Sequence, residues 1–150
     1  MDETVLAYIF KDDEVLMLYR NKEKDDINKN KWVGVGGHLE KGESKDAALI
    51  REIKEETNLD VIDYSFLATL IFINNDYKEI MYLYRVDSFY GEIKECDEGE
   101  LKFIKVKDLL SLNMWEGDKY FLELLLKKEP YFEMELIYSG DELIRVNRTK

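Results

Sequence analysis

The sequence predicts a mixed α/β fold, in which many strands accompany two main helices. Apolar runs rich in β-branched and aromatic residues recur along the chain and are separated by short polar turns, as is typical of strands. Two longer segments instead have helix-starting or helix-ending residues at their boundaries. The 150 residues are the size of one domain and contain no linker, repeat or low-complexity tract, so we expect a single domain over residues 1–150.

The N-terminal apolar segments predict a β-hairpin. They are Thr4–Phe10 and Glu14–Arg20, joined by the polar residues 11–13. Residues 21–31 are rich in Asn, Lys and Asp, which predicts an exposed loop. Trp32–Gly37 follows as a short apolar segment that contains three glycines.

The first helix is predicted from Lys45 to about Thr57. Ser44 can cap its N-terminus, and Asp46 in the first turn suits the helix dipole. Asn58 follows the last turn, where a left-handed residue commonly closes a helix. The predicted packing side of this helix consists of Ile50, Ile53 and Thr57.

The second half of the chain predicts further strands and one more helix. Asn74-Asn75-Asp76 and Ser139-Gly140-Asp141 are turn signals. Asp118–Lys128 predicts the second helix, and Pro130 ends it. The predicted strands are Ser65–Ile73, Glu79–Val86, Leu101–Val106, Tyr131–Tyr138 and Glu142–Val146.

The charge balance restricts the partners that we expect. The chain has 33 acidic and 22 basic residues and a net charge of −11, which disfavours polynucleotides and anionic membranes. No apolar segment approaches the ~18 residues of a membrane helix, and the acidic N-terminus does not resemble a signal peptide. Cys96 is the only cysteine, so we expect a reducing, cytoplasmic location. A small anionic substrate fits this charge if metal ions mediate its binding.

Three glutamates of the first helix are spaced to share one face. Glu52, Glu55 and Glu56 stand at positions i, i+3 and i+4, which brings like charges within about one turn of each other. Repulsion destabilises such a cluster, whereas a hard divalent cation such as Mg²⁺ stabilises it through oxygen ligands. The spacing alone favours an ordinary solvated acidic face over a metal site.

The residues before these glutamates change that interpretation. Five residues separate Gly37 from Glu43, seven separate Glu43 from Arg51, and Glu52-Ile53-Lys54-Glu55-Glu56-Thr57-Asn58-Leu59 follows. This segment closely resembles the Nudix box, G-x5-E-x7-R-E-U-x-E-E-x-G-U, in which U is aliphatic. The one departure is Asn58 in place of glycine, and asparagine tolerates the left-handed backbone there.

The resemblance implies the Nudix fold, an α/β/α sandwich around a mixed sheet, and hydrolysis of a nucleoside diphosphate linked to another group. It implies Mg²⁺, or Mn²⁺ as an alternative, as cofactor. Glu43 and Arg51 would form a supporting ion pair, and Glu52 or Glu56 would act as the general base. The implied metal ligands are Glu52, Glu55, Glu56, the backbone carbonyl of Gly36, and Glu98 from a later acidic loop, which the resemblance also makes a candidate base.

A second resemblance concerns the substrate. Trp32–Gly37 and Met114–Phe121 are similar to segments of the MutT-like oxidised purine nucleoside triphosphatases within the family. In that group a tryptophan stacks on the base and neighbouring acids contact its edge, which implies these roles for Trp115 and Asp118. The chain departs from that group at Gly117, where the first acid is missing, and at Val33, which replaces a base-contacting asparagine.

The predicted substrate contacts extend beyond Trp115 and Asp118. His38 follows Gly37 directly, where it can approach a phosphate, although a structural or surface role fits it equally well. Arg20 ends the second predicted strand and is a candidate for a phosphate or ribose contact. The predicted substrate-binding residues are Arg20, Val33, Val35, Gly36, Gly37, His38, Trp115 and Asp118.

Several alternatives stay open at this point. The first expectation is an enzyme that cleaves a purine nucleoside triphosphate, oxidised or not, to a monophosphate and pyrophosphate, thereby cleansing the nucleotide pool. The same chemistry on ADP-ribose, a dinucleotide or a capped RNA end is the second. The third is a nucleotide-sensing module without activity, which the intact glutamates disfavour. The chain is compatible with a monomer or a homodimer.

Overall fold

Nine strands form one mixed sheet in the computed structural model, which describes residues 1–150. The strands are β1 (Asp2–Lys11), β2 (Glu14–Tyr19), β3 (Trp32–Val33), β4 (Val35–His38), β5 (Asp60–Asn74), β6 (Tyr77–Tyr90), β7 (Glu100–Lys105), β8 (Phe132–Ser139) and β9 (Glu142–Arg148). The helices are α1 (Lys45–Thr57), α2 (Val106–Leu109) and α3 (Glu116–Leu126). None of them has the length and apolar character that crossing a membrane requires.

Strand β1 organises the part of the sheet that carries the candidate site. One edge of β1 pairs in parallel with β6. The opposite edge is shared, because the first half of β1 pairs with β4 and the second half with β2, both antiparallel. Since β4 leads into the loop before α1, this pairing places the start of the Nudix-like segment directly beside the central strand.

Side chains of β1 alternate between two cores on opposite faces of the sheet. Val5 and Ile9 pack with Leu49 and other apolar residues of α1. Tyr8, which points to the other face, packs with Phe121 and other apolar residues of α3. This alternation is the two-residue period of a strand that is covered on both sides. The predicted fold class, a mixed sheet between helices, is therefore confirmed.

The first half of the chain follows the predicted secondary structure closely. Helix α1 spans the predicted residues, the Ser44 hydroxyl caps it by accepting from the N–H of Ala47, and Asn58 adopts the left-handed conformation with φ of 71°. The hairpin of β1 and β2 is also confirmed. The predicted packing role of Ile50 is wrong, because this side chain is exposed and Ala48 and Leu49 pack instead.

The larger differences lie in the second half. Strands β5 and β6 are longer than predicted at both ends, because their pairing continues through polar and irregular stretches. Helix α3 begins at Glu116 rather than Asp118, since Glu116 and Gly117 form its first turn. The short helix α2 was not predicted from the sequence.

Candidate active site

The two glycines that open the Nudix-like segment allow close packing at the start of the site. A Cβ on Gly36 would lie 1.8 Å from the carbonyl oxygen of Val5 in β1, so no other residue fits this backbone position. A Cβ on Gly37 would lie 2.5 Å from the carboxylate of Glu52. The segment therefore passes between the central strand and the glutamates of α1 without a side chain.

Arg51 binds the acidic groups around the start of α1. Its Nε and Nη2 donate to both carboxylate oxygens of Glu43 at 2.7 and 2.8 Å, and its Nη2 also donates to the backbone carbonyl of His38 at 3.1 Å. Its Nη1 donates to Glu52 at 2.7 Å and to Glu55 at 3.2 Å. The Arg51 guanidinium lowers the pKa of Glu43 to about 2. Arg51 thus connects the loop, the helix and two of the predicted metal ligands.

Glu56 lies on the side of α1 that faces β4. Its carboxylate accepts a hydrogen bond of 3.2 Å from the backbone N–H of Gly36. Burial, followed by the charges of Glu98 and Glu52, raises the pKa of Glu56 well above its usual range. Burial also raises the pKa of Glu52, even though Arg51 opposes this shift. Negative charge at this end of the site is therefore only partly compensated.

Glu98 reaches the site from the loop between β6 and β7. Its Oε2 lies 3.2 Å from Nη1 of Arg20, but the geometry gives this buried oxygen no hydrogen bond. The Nε of Arg20 also donates a hydrogen bond to Asp26 at 2.6 Å. Arg20 and Glu98 both line the cavity and pair with each other. Arg20 therefore partly neutralises Glu98, and it is also a candidate substrate contact.

The oxygen-rich cluster around Glu56 fits a divalent cation by its chemistry. The charges of Glu98 and Glu52 add to the effect of burial in raising the pKa of Glu56, and one oxygen of Glu98 is buried without a hydrogen bond. A hard cation bound through oxygen ligands would compensate these charges. In this structure no three acidic, histidine or cysteine side chains converge on one point, since Arg51 holds Glu52 and Glu55. The ligand set therefore stays a prediction.

A cavity of about 510 Å³ opens next to this cluster on the α3 side of the sheet. Its size falls within the range of small-molecule sites, which is about 300–1,000 Å³. Polar, apolar and aromatic side chains all line it. The lining residues are Thr4, Val5, Leu6, Arg20, Ile27, Asn28, Val33, Gly34, Gly36, Gly37, His38, Phe72, Tyr77, Glu79, Met81, Glu98, Trp115 and Asp118.

Trp115 is one of the aromatic residues that line the cavity. It precedes α3 and is 7% exposed, with its ring edge-on to Phe72 and Tyr138 at centroid distances of 6.0 and 5.1 Å. The indole N–H donates to Oδ1 of Asn28 at 2.7 Å. Trp115 is therefore held in one orientation and is both a packing residue and a cavity wall.

Asp118 lines the same cavity from the first turn of α3. Its side chain makes no hydrogen bond to the protein, and burial raises its pKa to about 7. The Tyr138 hydroxyl lies beside position 117, where it accepts a hydrogen bond of 2.7 Å from the N–H of Gly117. A Cβ on Gly117 would lie 2.7 Å from that hydroxyl, so tyrosine at 138 and glycine at 117 fit together.

The raised pKa of Asp118 predicts a pH-dependent gain in stability for Asp118→Asn. The folded state favours the protonated carboxyl, so the wild type loses stability as pH rises from the ordinary value of 3.8 to about 7. We expect the free energy of unfolding of the variant to exceed that of the wild type by roughly 2 kcal/mol above that pH range, and by little at acidic pH. Urea unfolding at several pH values tests this, with Asp141→Asn in the exposed β8–β9 turn as control. An equal gain at low and high pH would contradict the prediction.

The remaining predicted substrate contacts lie in different environments. Val33, Gly36 and Gly37 line the cavity. Val35 does not, because its side chain is buried in the core beneath α1. The His38 ring lines the mouth of the cavity, is mostly exposed and has its Nε2 3.7 Å from an Asp2 oxygen.

Several cavity residues carry no signal in the sequence. Asn28 belongs to a stretch whose composition predicts only an exposed loop, yet it is half-buried against Trp115. The sequence marks Phe72 and Met81 only as strand residues. They reach the cavity because β6 pairs with β1 and β5 pairs with β6. Long-range pairing, which local patterns do not encode, brings these side chains to the site.

Comparison with known proteins places the chain in a family. A family model described as the NUDIX domain matches residues 2–125. An uncharacterized Nudix hydrolase, YvcI of Bacillus subtilis, is 33% identical over 136 residues, which cover 87% of this chain and 82% of that protein. The oxidized purine nucleoside triphosphate hydrolase of Danio rerio is 28% identical over 111 residues, 73% of this chain and 71% of its own length.

Solved structures show the same fold. The crystal structure of a MutT protein from Bacillus halodurans superposes with a TM-score of 0.88 at 24% identity, covering 99% of this chain and 98% of that one. The NUDIX domain of Shewanella oneidensis NrtR, solved with ADP ribose, superposes with a TM-score of 0.69 at 18% identity over 84% of this chain and 86% of its own. With the family match over most of its length and its box glutamates grouped around Arg51 and Gly36, the chain belongs to the Nudix hydrolase family.

Proposed function

We propose that this Nudix hydrolase uses Mg²⁺ or Mn²⁺ to cleave a purine nucleoside triphosphate into the monophosphate and pyrophosphate. The observation that carries the proposal is that Trp115 and Glu98 line one and the same cavity. The aromatic side chain suits a purine ring, and the acidic group suits metal-bridged phosphates. A nucleotide placed this way has its phosphates beside the box glutamates.

Different residues of the protein would bind the base and the cation. Trp115 would stack on the base, and Asp118 would hydrogen-bond its edge. Glu52, Glu55, Glu56, Glu98 and the carbonyl of Gly36 would hold the cation. When bound, the cation supplies charge that neutralises the phosphates and polarises the attacked phosphorus.

Glu56 is our choice for the general base. It is not exposed as Glu55 is, and it is not paired with Arg51 as Glu52 is. In the proposed step Glu56 accepts a proton from water while the water oxygen bonds to phosphorus, and the bridging P–O bond between the α and β phosphates breaks. If water attacks the α phosphorus, the electron pair of that bond leaves with pyrophosphate; if it attacks the β phosphorus, the pair leaves with the nucleoside monophosphate.

The net charge of −11 predicts strict dependence on a divalent cation. Arg20 is the one arginine or lysine that lines the cavity, and it is already paired with Asp26 and Glu98. We therefore expect chelation by EDTA to lower hydrolysis by at least about a thousandfold, and added Mg²⁺ or Mn²⁺ to restore it. Hydrolysis that survives exhaustive chelation would contradict the proposal.

A substrate panel tests the choice of nucleotide. Initial rates with Mg²⁺ should be compared for dGTP, 8-oxo-dGTP, 2-hydroxy-dATP, ADP-ribose and diadenosine polyphosphates, with pyrophosphate and phosphate measured separately. We expect pyrophosphate release from a purine triphosphate to be fastest. If ADP-ribose is cleaved far faster than every triphosphate, the substrate assignment is wrong, whereas the catalytic role of α1 is unaffected.

A further inference from the structure

We infer that Asn28 determines base selectivity by offering a hydrogen-bond donor that favours 6-oxopurines over 6-aminopurines. The inference rests on the proposed purine triphosphate substrate and adds a specificity-determining residue to the same cavity. It concerns a loop residue that no sequence motif marks. The selectivity depends on which half of the Asn28 amide is free to face a ligand.

The orientation of the Asn28 side chain follows from its contact with Trp115. The indole N–H can only donate, so the atom that receives it at 2.7 Å is the amide oxygen and not the amide nitrogen. The Asn28 backbone N–H donates to Oδ1 of Asp26 at 3.0 Å, and Asp26 is in turn held by Arg20. The side-chain amide of Asn28 is therefore held by Trp115, and its backbone is held by Asp26.

This anchoring leaves the amide NH₂ group as the part of Asn28 without a protein partner. Asn28 is half-buried and lines the cavity together with Trp115 and Asp118. Val33, which lines the same cavity, has no polar side-chain atom with which to contact a base. Asn28 therefore supplies an amide donor that position 33 lacks.

A free donor distinguishes purines at position 6. Guanine presents the O6 acceptor there, whereas adenine presents the N6 amino group, which is itself a donor. An asparagine whose oxygen and nitrogen are both free can pair with adenine through both atoms. In this protein the Asn28 oxygen already accepts a hydrogen bond from Trp115. We therefore expect the remaining NH₂ group to favour binding of a purine with the O6 acceptor and to disfavour a purine with the N6 amino group.

The variant Asn28→Asp tests this inference because it changes only the free half of the side chain. The aspartate keeps an oxygen for the Trp115 N–H and replaces the NH₂ group with an acceptor. We expect the ratio of kcat/KM for dGTP to that for dATP to exceed about 10 in the wild type and to fall at least about tenfold in Asn28→Asp. Asn28→Ala, which removes donor and anchor together, should lower both kcat/KM values and bring their ratio towards one.

Asn30→Asp is the matched control. Asn30 lies in the same loop, is exposed, has its backbone in the left-handed region that aspartate also tolerates, and makes no side-chain hydrogen bond. The control introduces the same charge and should keep the wild-type ratio. Thermal unfolding of all variants shows whether each one is folded.

Binding of the products dGMP and dAMP, followed by tryptophan fluorescence without metal, separates the two proposals. If the wild type hydrolyses no purine triphosphate but Asn28→Asp still reverses the binding preference, the proposed reaction fails and the role of Asn28 holds. If the wild type hydrolyses dGTP and Asn28→Asp keeps the wild-type ratio in both assays, the reaction holds and the inference about Asn28 is overturned. The inference is also overturned if Asn30→Asp changes the ratio as much as Asn28→Asp does.

Discussion

Replacing Glu56 with glutamine is expected to lower kcat for nucleotide hydrolysis by at least about a thousandfold while the protein stays folded. Glutamine has the shape of glutamate but neither accepts the proton of the attacking water nor offers a negative ligand to a cation. Steady-state rates at saturating Mg²⁺ measure the loss. Hydrolysis near the wild-type rate would contradict both the base assignment and the ligand assignment of Glu56.

The fold should tolerate this change because, without a bound cation, burial and the neighbouring acids favour a neutral side chain at position 56. The pKa of Glu56 is raised, and the oxygen of a glutamine amide can still accept the hydrogen bond from the Gly36 N–H. We therefore expect metal-free Glu56→Gln to unfold at the wild-type temperature or above it. Glu123→Gln, an exposed glutamate in α3, is the control and should leave both rate and stability unchanged.

Replacing Arg51 with methionine is expected to reduce stability and activity together. The guanidinium donates to Glu43, Glu52 and Glu55 and to the His38 carbonyl, so its removal leaves several acidic groups without a partner. We expect a loss of about 2–3 kcal/mol in the free energy of unfolding, because charge-assisted hydrogen bonds are lost from a partly exposed network. We also expect kcat to fall about a hundredfold as the loop and α1 lose their alignment.

Lys54→Met is the matched control for Arg51→Met. Lys54 lies one turn further along α1, is exposed and pairs with Asp60 at 3.0 Å, away from the Nudix-like loop. Urea unfolding and hydrolysis rates should show little change in this control. If Arg51→Met behaves like Lys54→Met in both measurements, the network around Arg51 is not important for the site.

The two halves of the proposed site were accessible from the sequence to different degrees. The catalytic half depends on offsets along one continuous segment, because helical geometry alone places Glu52, Glu55 and Glu56 on one face. The Ser44 cap and the left-handed Asn58 were predictable for the same reason, since capping depends on neighbouring residues. The interaction of Arg51 with Glu43 was predicted from the family resemblance and is present in the structure.

The base-binding half could not be derived in this way. Trp115 and Asp118 were predicted only by resemblance, and their spacing alone does not distinguish a binding wall from a packing face. The contact of Trp115 with Asn28 joins residues that lie 87 positions apart in the chain. Tyr138 likewise takes the space of an absent side chain at Gly117 from β8, a strand that is distant in sequence.

By itself, the sequence determined the family, the mixed α/β class and the helix that carries the proposed chemistry, because these depend on local periodicity and fixed spacing. Only the tertiary structure decided which carboxylates Arg51 holds, that Glu98 lies beside Arg20, and which half of Asn28 is free. These features depend on strand order, since β1 pairs with β4 on one edge and β6 on the other. The physical reason is that side-chain partners far apart in the chain are set by packing and burial, which no local pattern records.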